Sequence, residues 1–139
     1  MTNPRAIHLI VKPSSIEGLG VFTLTPIHKG EPVPLSNDGE ARIITEAELA
    51  LLPLAYANYY VPDRDENWWG PIDYHRMSIG WYLNHAGDPN IDVADRFIAL
   101  RPIASGEELT IDYSYWNFPW VHERGIRYRP PWFRLLRHE

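Results

Sequence analysis

Three short segments of the sequence carry residue types that could bind a small molecule and orient a reacting group. They are residues 18–20 (G-L-G), residues 84–90 (N-H-A-G-D-P-N) and residues 106–113 (G-E-E-L-T-I-D-Y). Glycine lets a backbone approach a ligand closely, while amide, imidazole and phenol groups donate and accept hydrogen bonds. Taken singly, each segment also has a structural interpretation. A G-x-G is more often a turn, and His85 or Tyr113 is more often a satisfied interior side chain.

Several other kinds of site are excluded by the sequence. The chain has no cysteine, which rules out disulfides, thiolate nucleophiles and cysteine-ligated metals. It contains no H-E-x-x-H, no G-x-S-x-G and no G-x-x-x-x-G-K-[ST]. Residues 88–92 begin like a calcium loop, but Val93 and Ala99 stand where that loop needs glycine and glutamate. We therefore expect no metal site, and chemistry that uses oxygen and nitrogen groups.

In their order and spacing, the three segments closely resemble the signatures of the SET-domain family of protein-lysine methyltransferases. That family has an N-terminal G-x-G, a central N-H-x-x-x-P-N and a final G-E-E-L-x-x-x-Y, and the resemblance extends over about residues 16–115. It implies S-adenosylmethionine as the cofactor and S-adenosylhomocysteine as the product. It also implies methyl transfer to a lysine side chain of a basic protein, such as a histone or histone-like protein.

The resemblance further implies roles for individual residues. The backbone of residues 18–20 would hold the methionine end of the cofactor, and Asn84 and His85 would hold its amino-acid and adenine portions. Tyr113 would be the catalytic tyrosine, and Tyr115 would line the lysine channel. The residues expected to bind the cofactor are Gly18, Leu19, Gly20, Tyr82, Asn84, His85 and Trp116.

The sequence departs from the family pattern at several places, including Trp81 where relatives commonly have a basic residue. Residues 86–87 are Ala-Gly where the family usually has Ser-Cys, and residues 31–38 lack the aromatic that relatives often contribute. Many relatives close the cofactor pocket with a zinc-bound cysteine cluster, so we expect the aromatic and basic segment 116–139 to act as the lid instead. An alternative stays open, in which the chain is a catalytically inactive SET-like protein-interaction module.

The residue composition predicts the kind of fold that must position these segments. The chain has 139 residues with 13 prolines and 9 glycines, which favours short strands and turns over long helices. We expect one domain over residues 1–139, with a core at about 7–115. The resemblance implies a mostly β, SET-type fold of small antiparallel sheets with short helices and a knot-like threading of the C-terminal segment.

Apolar alternation and turn signals locate the predicted elements. Thr45 followed by Glu48 is a capping-box signal for a helix over residues 45–52. Residues 62–71 are expected to be a surface excursion with some aromatic anchoring. The predicted strands are 7–12, one through Phe22 and Leu24, 54–61, 91–100, and a last one ending at Tyr113; a short C-terminal helix is predicted over 132–137.

One sequence pattern occurs twice. Residues 26–33 and 102–109 both read P-I-x-x-G-E-x-aliphatic, and each copy follows an apolar strand. We interpret them as the same turn used twice, in which proline ends the strand, isoleucine fills the core and glycine reverses the chain.

The charge distribution points to a class of partner. Residues 1–121 hold 8 Lys and Arg against 16 Asp and Glu, whereas residues 122–139 hold five Arg against two Glu. An acidic body suits a basic, lysine-containing protein and is a poor nucleic-acid surface. No membrane span or signal peptide is expected, so we predict an intracellular protein, cytoplasmic or, in a eukaryote, nuclear. A homodimer is possible.

Overall fold

The computed structural model describes residues 6–36, 41–57, 59–72, 77–94, 96–116 and 118–123. They form two compact units, one within Met1–Leu35 and Tyr82–Asp112 and the other within Ser36–Trp81 and Tyr113–Glu139. The first unit consists mainly of short strands, and the second combines a small sheet with short helices, which confirms the predicted class of small sheets with short helices. In the described ranges, no helix has the length and apolar character needed to cross a lipid bilayer.

The elements are numbered in chain order. They are β1 (Leu9–Pro13), β2 (Leu19–Thr23), β3 (Ala41–Ile44), α1 (Glu46–Ala50), α2 (Leu54–Ala57), β4 (Val61–Pro62), β5 (Trp68–Pro71), β6 (Asn84–His85), β7 (Ile91–Asp92), β8 (Ile98–Ala99), β9 (Glu108–Ile111) and α3 (Pro119–Glu123). Two 3₁₀ turns, Ile79–Tyr82 and Tyr113–Trp116, precede β6 and follow β9.

The first unit is built on a four-stranded sheet in the order β1-β2-β9-β6. The pairs β1·β2 and β2·β9 are antiparallel, and β6 runs parallel to β9. Val21 lies opposite Leu109 and both are fully buried, whereas Phe22 lies opposite Glu108 on the other face. Because strand side chains alternate between faces, one face of this sheet forms the core and the other is available for a site.

The two P-I-x-x-G-E copies pair with each other inside the first unit. Ile27 and Ile103 form an antiparallel bridge, with N–H to O distances of 2.8 and 2.9 Å. Both side chains are buried. Gly30 and Gly106 have φ of 82° and 91°, the left-handed region that glycine enters at little cost. The predicted roles of isoleucine and glycine are therefore confirmed in both copies.

A glutamate closes each of these turns, a role that was not predicted. The Glu31 carboxylate accepts a hydrogen bond from the backbone N–H of His28 at 3.0 Å. The Glu107 carboxylate accepts one from the backbone N–H of Ala104, also at 3.0 Å. The repeated glutamate thus satisfies the backbone donor that proline and the turn would leave unpaired.

The predicted strand over residues 91–100 is wrong in one respect, because two strands occupy it. The strands β7 and β8 form an antiparallel hairpin in which Ile91 lies opposite Ala99. Arg96 and Phe97 have φ of 44° and 52° and reverse the chain between the two strands. An apolar run with an internal turn is indistinguishable from one long strand until its pairing is known.

The second unit contains the three-stranded sheet β3-β5-β4 and a small aromatic core. Ile44, Tyr60 and Trp68 are buried together. Trp120 packs edge-on against Trp68, with ring centroids 5.7 Å apart and planes at 80°. The Trp120 indole N–H also donates to the backbone carbonyl of Asp63 at 2.8 Å. Edge-to-face aromatic packing stabilises such a core beyond the burial of its area.

One prediction for this unit is refined and another is corrected. Residues 62–71 are a hairpin, with β4 and β5 joined by a turn at Asp63, and Trp68 in β5 is 1% exposed. The predicted strand over 54–61 is α2 followed by β4, and the helix begins just after Pro53. The apolar run fits either element, and the proline favours a helix start because its missing N–H costs nothing in the first turn.

The capping box is confirmed. Glu48 N–H donates to the Thr45 hydroxyl at 3.2 Å, and Thr45 N–H donates to the Glu48 carboxylate at 3.0 Å. The helix itself, α1, is shorter than the predicted range of 45–52. At the other end of the chain, β9 ends at Ile111 and not at Tyr113, and α3 was not predicted. The predicted helix over 132–137 lies outside the described residues, and the knot-like threading stays a prediction.

Candidate functional site

The two glycines at the start of β2, Gly18 and Gly20, differ in how much space surrounds them. Gly18 has φ of 45°, and a Cβ placed on it would meet nothing within 4 Å. Gly18 is exposed and Leu19 is 48% exposed, so the Gly18 backbone is accessible to solvent. Gly20 is different, because a Cβ placed on it would overlap the Glu108 carboxylate. A side chain at position 20 would have to displace the Glu108 carboxylate, and the backbone conformation at position 18 favours glycine.

The side chain of Asn84 ties this segment to β6. Its amide nitrogen lies 3.1 Å from the Glu17 carbonyl oxygen, 3.0 Å from the Leu19 carbonyl oxygen and 2.9 Å from a Glu108 carboxylate oxygen. All three neighbours are acceptors, so the amide is oriented with its NH₂ group towards them. The side-chain oxygen of Asn84 is consequently left on the opposite side of the amide, as an acceptor.

His85 follows in β6 and is held by the last strand. Its Cα lies opposite Ile111 in the parallel pair, and the next N–H, that of Ala86, donates to the Ile111 carbonyl at 3.0 Å. The imidazole Nδ1 lies 3.7 Å from a carboxylate oxygen of Asp112, and both side chains are partly exposed. The backbone of the N-H motif is thereby fixed against the strand that leads into Tyr113.

Asn90, the last residue of the N-H-x-x-x-P-N segment, is hydrogen-bonded through its side chain to the backbone of β9. Its amide nitrogen donates to the Glu108 carbonyl at 2.8 Å, and its amide oxygen accepts from the Thr110 N–H at 2.8 Å. The side chain is 2% exposed. Asn90 thus replaces a missing strand neighbour, which gives it a structural role.

The tyrosines after β9 belong to the second unit and form an aromatic cluster there. Tyr113 is 4% exposed, and its ring lies 5.3 Å from the ring of Trp116. Tyr115 packs edge-on against Trp116 and Phe118, with ring centroids 6.4 and 6.0 Å apart. Trp116 is therefore in contact with both tyrosines, and the 3₁₀ turn Tyr113–Trp116 is what brings the three rings together.

Comparison with known proteins identifies the family. The sequence matches the SET domain over residues 18–114, which is most of the chain. The chain belongs to the SET-domain family. A solved structure from Plasmodium falciparum, described as a candidate histone methyltransferase, has a similar fold with a TM-score of 0.56 and 23% sequence identity. The match covers 81% of this chain and 96% of that one. No curated protein matches the sequence.

Within this SET domain, the predicted site residues fall into two groups. Gly18, Leu19, Gly20, Asn84 and His85 lie in the first unit, where Asn84 connects β6 to the start of β2. Tyr82 also belongs to that unit and is half-buried at the end of the 3₁₀ turn before β6. The tyrosines 113 and 115 and Trp116 make up the aromatic cluster of the second unit.

Two residues of the SET-domain site were missed by sequence analysis. Glu108 and Ser14 have no predicted role, yet the Ser14 hydroxyl donates to the Glu108 carboxylate at 2.7 Å and the carboxylate lies against Gly20 and Asn84. The available signal was a glutamate in a strand whose alternate residues are apolar, which indicates a carboxylate facing away from the core.

The groups around β2 and β6 fit the cofactor that the family implies. S-adenosylmethionine carries an ammonium group, and the orientation of the Asn84 amide leaves its side-chain oxygen as an acceptor. The open space at Gly18 leaves room for a bound molecule. No group of three or more histidine, aspartate or glutamate side chains in the described part of the chain could hold a metal ion.

Proposed function

We propose that this SET domain is an S-adenosylmethionine-dependent protein-lysine N-methyltransferase. The observation that carries the proposal is the hydrogen bonding of Asn84 to the Leu19 carbonyl, which joins the N-H motif to the G-x-G segment. Two motifs that are far apart in sequence are thereby held next to each other, as residues that bind one cofactor must be. The fold it shares with a candidate histone methyltransferase also supports the proposal.

The residues of the first unit would bind the cofactor. The exposed backbone around Gly18 and Leu19 would contact its methionine end, and the Asn84 side-chain oxygen would accept a hydrogen bond from the ammonium. The backbone of His85, fixed by the β6–β9 pairing, would contact the adenine. Tyr82 would border the same site.

The bound cofactor supplies an electrophilic methyl group on a positively charged sulfur. The accepting lysine nitrogen must be uncharged, although the ordinary pKa of lysine is about 10.4. Apolar walls lower that pKa because they desolvate the ammonium. Tyr115 and its aromatic neighbours Trp116 and Phe118 would supply such walls, and Trp116 would also form part of the lid.

Tyr113 would hold the lysine nitrogen in line with the transferred group. Its ring is buried and packed against Trp116, so the phenol has little freedom to move. A fixed hydroxyl near the reacting atoms lowers the barrier by orientation, and a closed aromatic channel excludes water. No covalent intermediate with the protein is needed for a direct displacement.

The proposed substrate is a basic, lysine-containing protein such as a histone or a histone-like protein. The excess of acidic residues over residues 1–121 would attract a cationic segment by electrostatic steering. We further propose that the protein acts inside the cell and binds neither nucleic acid nor membrane. We also propose that it forms a homodimer, which light scattering would detect.

The experiment combines cofactor binding with a transfer assay. Wild-type protein and Tyr113→Phe are titrated with S-adenosylmethionine by calorimetry and then incubated with labelled cofactor and a panel of basic proteins. We expect both proteins to bind the cofactor with similar affinity, and only the wild type to label a substrate. Absence of binding by wild type would contradict the proposal. Binding without transfer to any protein of the panel would favour the alternative of an inactive interaction module.

A further inference from the structure

The carboxylate of Glu108 is the centre of a hydrogen-bonded cluster behind the glycine segment. The Ser14 hydroxyl lies 2.7 and 2.9 Å from its two oxygens, and the Asn84 amide nitrogen lies 2.9 Å from one of them. Glu108 is opposite Phe22 in the β2·β9 pair, so it shares a face with Gly20, two residues earlier in β2. The carboxylate consequently covers Gly20 and reaches both β6 and the segment between β1 and β2.

The partners of this carboxylate are neutral donors. In the described ranges, no lysine, arginine or histidine forms an ion pair with Glu108. Lys12, which lies on the same face of the sheet, is 4.4 Å from the centroid of the Phe22 ring. Hydrogen bonds to a charged acceptor are stronger than those between neutral groups, so Glu108 holds the Ser14 hydroxyl and the Asn84 amide firmly.

The internal repeat shows that the turn itself does not need this glutamate. The turn is closed by Glu107, and by Glu31 in the other copy. The position that corresponds to Glu108 in the first copy is Pro32, which has no side-chain donor or acceptor. The two residues are also equivalent in strand pairing. Pro32 is bridged to Ile98 of the second copy's strand, and Glu108 is paired with Phe22 of the first copy's strand. The carboxylate at 108 therefore serves something outside the turn.

The amide of Asn84 is what this carboxylate orients. With Glu108 and the carbonyls of Glu17 and Leu19 on one side, a flipped amide would place its oxygen against three acceptors. Such a flip is unfavourable because no hydrogen would lie between the oxygens. The side-chain oxygen of Asn84 is held in the opposite direction as a result.

We propose that Glu108 is a positioning residue of the cofactor site. With Ser14, it fixes the orientation of the Asn84 amide and packs closely against β2 at Gly20. The Asn84 oxygen is thereby presented to the ammonium of S-adenosylmethionine. This inference rests on the proposed function. Glu108 acts through Asn84 and does not itself contact the reacting atoms.

The test compares Glu108 with its neighbour in sequence. Glu108→Ala, Glu108→Gln and Ser14→Ala are compared with Glu107→Gln, which removes a turn-closing carboxylate away from Asn84. Calorimetry measures the Kd for S-adenosylmethionine, and steady-state kinetics separate its KM from kcat. We expect Glu108→Ala to raise Kd and KM by about tenfold or more, since a charged hydrogen bond is lost, with a smaller change in kcat.

The conservative variants refine this expectation. The Glu108→Gln amide oxygen can still accept from Asn84, so its Kd should lie between those of wild type and Glu108→Ala. Ser14→Ala, which leaves Glu108 in place, should raise Kd by about threefold. Glu107→Gln should lower thermal stability and leave Kd within about twofold of wild type. A Kd for folded Glu108→Ala within about twofold of wild type would overturn the proposal.

A double-mutant cycle tests the same arrangement without any cofactor. Gly20→Ala should lower the unfolding temperature in the wild-type background, because its Cβ would displace the Glu108 carboxylate from Ser14 and Asn84. In the Glu108→Ala background the overlap is gone, and the loss should be clearly smaller. Additive losses would overturn the proposed packing. If wild type binds no S-adenosylmethionine, the proposed function fails. The double-mutant cycle would still decide whether Glu108 packs against the glycine segment 18–20.

Discussion

The backbones of Ile27 and Ile103 are hydrogen-bonded to each other in both directions, at 2.8 and 2.9 Å. The two P-I-x-x-G-E turns are therefore partners as well as copies. Each turn also reaches the other copy's strand, since Gly30 N–H donates to Ala99 and Gly106 N–H donates to Thr23. This mutual pairing holds β2 and β9, the strands that carry Gly20 and Glu108, in a fixed register.

The turn glycines give a first prediction. Gly30→Ala and Gly106→Ala should each destabilise the fold by about 1–2 kcal/mol, because φ of 82° and 91° is unfavourable for alanine. Gly87→Ala is the matched control, since a Cβ there meets nothing within 4 Å and the backbone is not left-handed. Denaturant unfolding of the three variants measures the free energies. Equal stabilities for all three would contradict the role assigned to the turns.

The second prediction concerns the cofactor side of the site. Asn84→Ala should raise the Kd for S-adenosylmethionine by about tenfold or more, because both the donor to Leu19 and the acceptor on the opposite side are lost. Asn84→Asp should be at least as damaging, since it places a second carboxylate beside Glu108. Calorimetric titration gives the Kd of each variant.

Asn67→Ala is a suitable control for Asn84. This asparagine lies in the β4–β5 turn, where its backbone N–H donates to Asp63 at 2.9 Å, and the substitution keeps that bond. The Kd of Asn67→Ala for S-adenosylmethionine should equal that of wild type. Unchanged binding by Asn84→Ala would show that the amide has no part in holding the cofactor.

A third prediction separates the two asparagines of the N-H-x-x-x-P-N segment. Asn90→Ala should lower the free energy of unfolding by about 2–4 kcal/mol, because it leaves the Glu108 carbonyl and the Thr110 N–H unpaired in the interior. Chemical denaturation with a fluorescence readout measures this loss. A loss below about 1 kcal/mol would mean that water replaces the asparagine at little cost.

The fourth prediction is a pH dependence. The backbone N–H of Ala104 holds the pKa of Glu107 below its ordinary value of 4.5, with Arg101 adding to the effect and burial opposing it. A lowered pKa in the folded state means that this stabilisation is complete above pH 4.5 and is lost as the pH falls through the folded pKa. The difference in unfolding temperature between wild type and Glu107→Gln should therefore be largest near neutral pH and shrink in acid. Parallel curves at every pH would contradict this assignment.

Features with local chemical causes could be predicted from the sequence. The capping box of Thr45 and Glu48 forms both of its hydrogen bonds, since its partners are only three residues apart. The turn glycines, Gly30 and Gly106, were likewise located by their flanking residues. Motif spacing likewise selected Asn84 and Gly18 as candidate site residues, because each family motif is a contiguous segment.

Features that depend on distant pairing could not be predicted. Residues 54–61 have an apolar pattern that suits strand or helix, and the choice is made by Pro53 and by the packing of Tyr60 in the core. Trp68 in β5 becomes interior because Ile44, Tyr60 and the distant Trp120 pack around it. The contact of Ser14 with Glu108 joins residues 94 positions apart, which no local signal reports.

The most direct test of lysine methylation is mass spectrometry of a basic substrate after incubation with the protein and S-adenosylmethionine. Fragmentation should place an added methyl group on a lysine Nζ of a histone or histone-like protein, and Tyr113→Phe, prepared in parallel, should give none above background. Methyl groups found only on other residue types would contradict the proposed reaction. Equal lysine methylation by Tyr113→Phe and wild type would contradict the role of Tyr113.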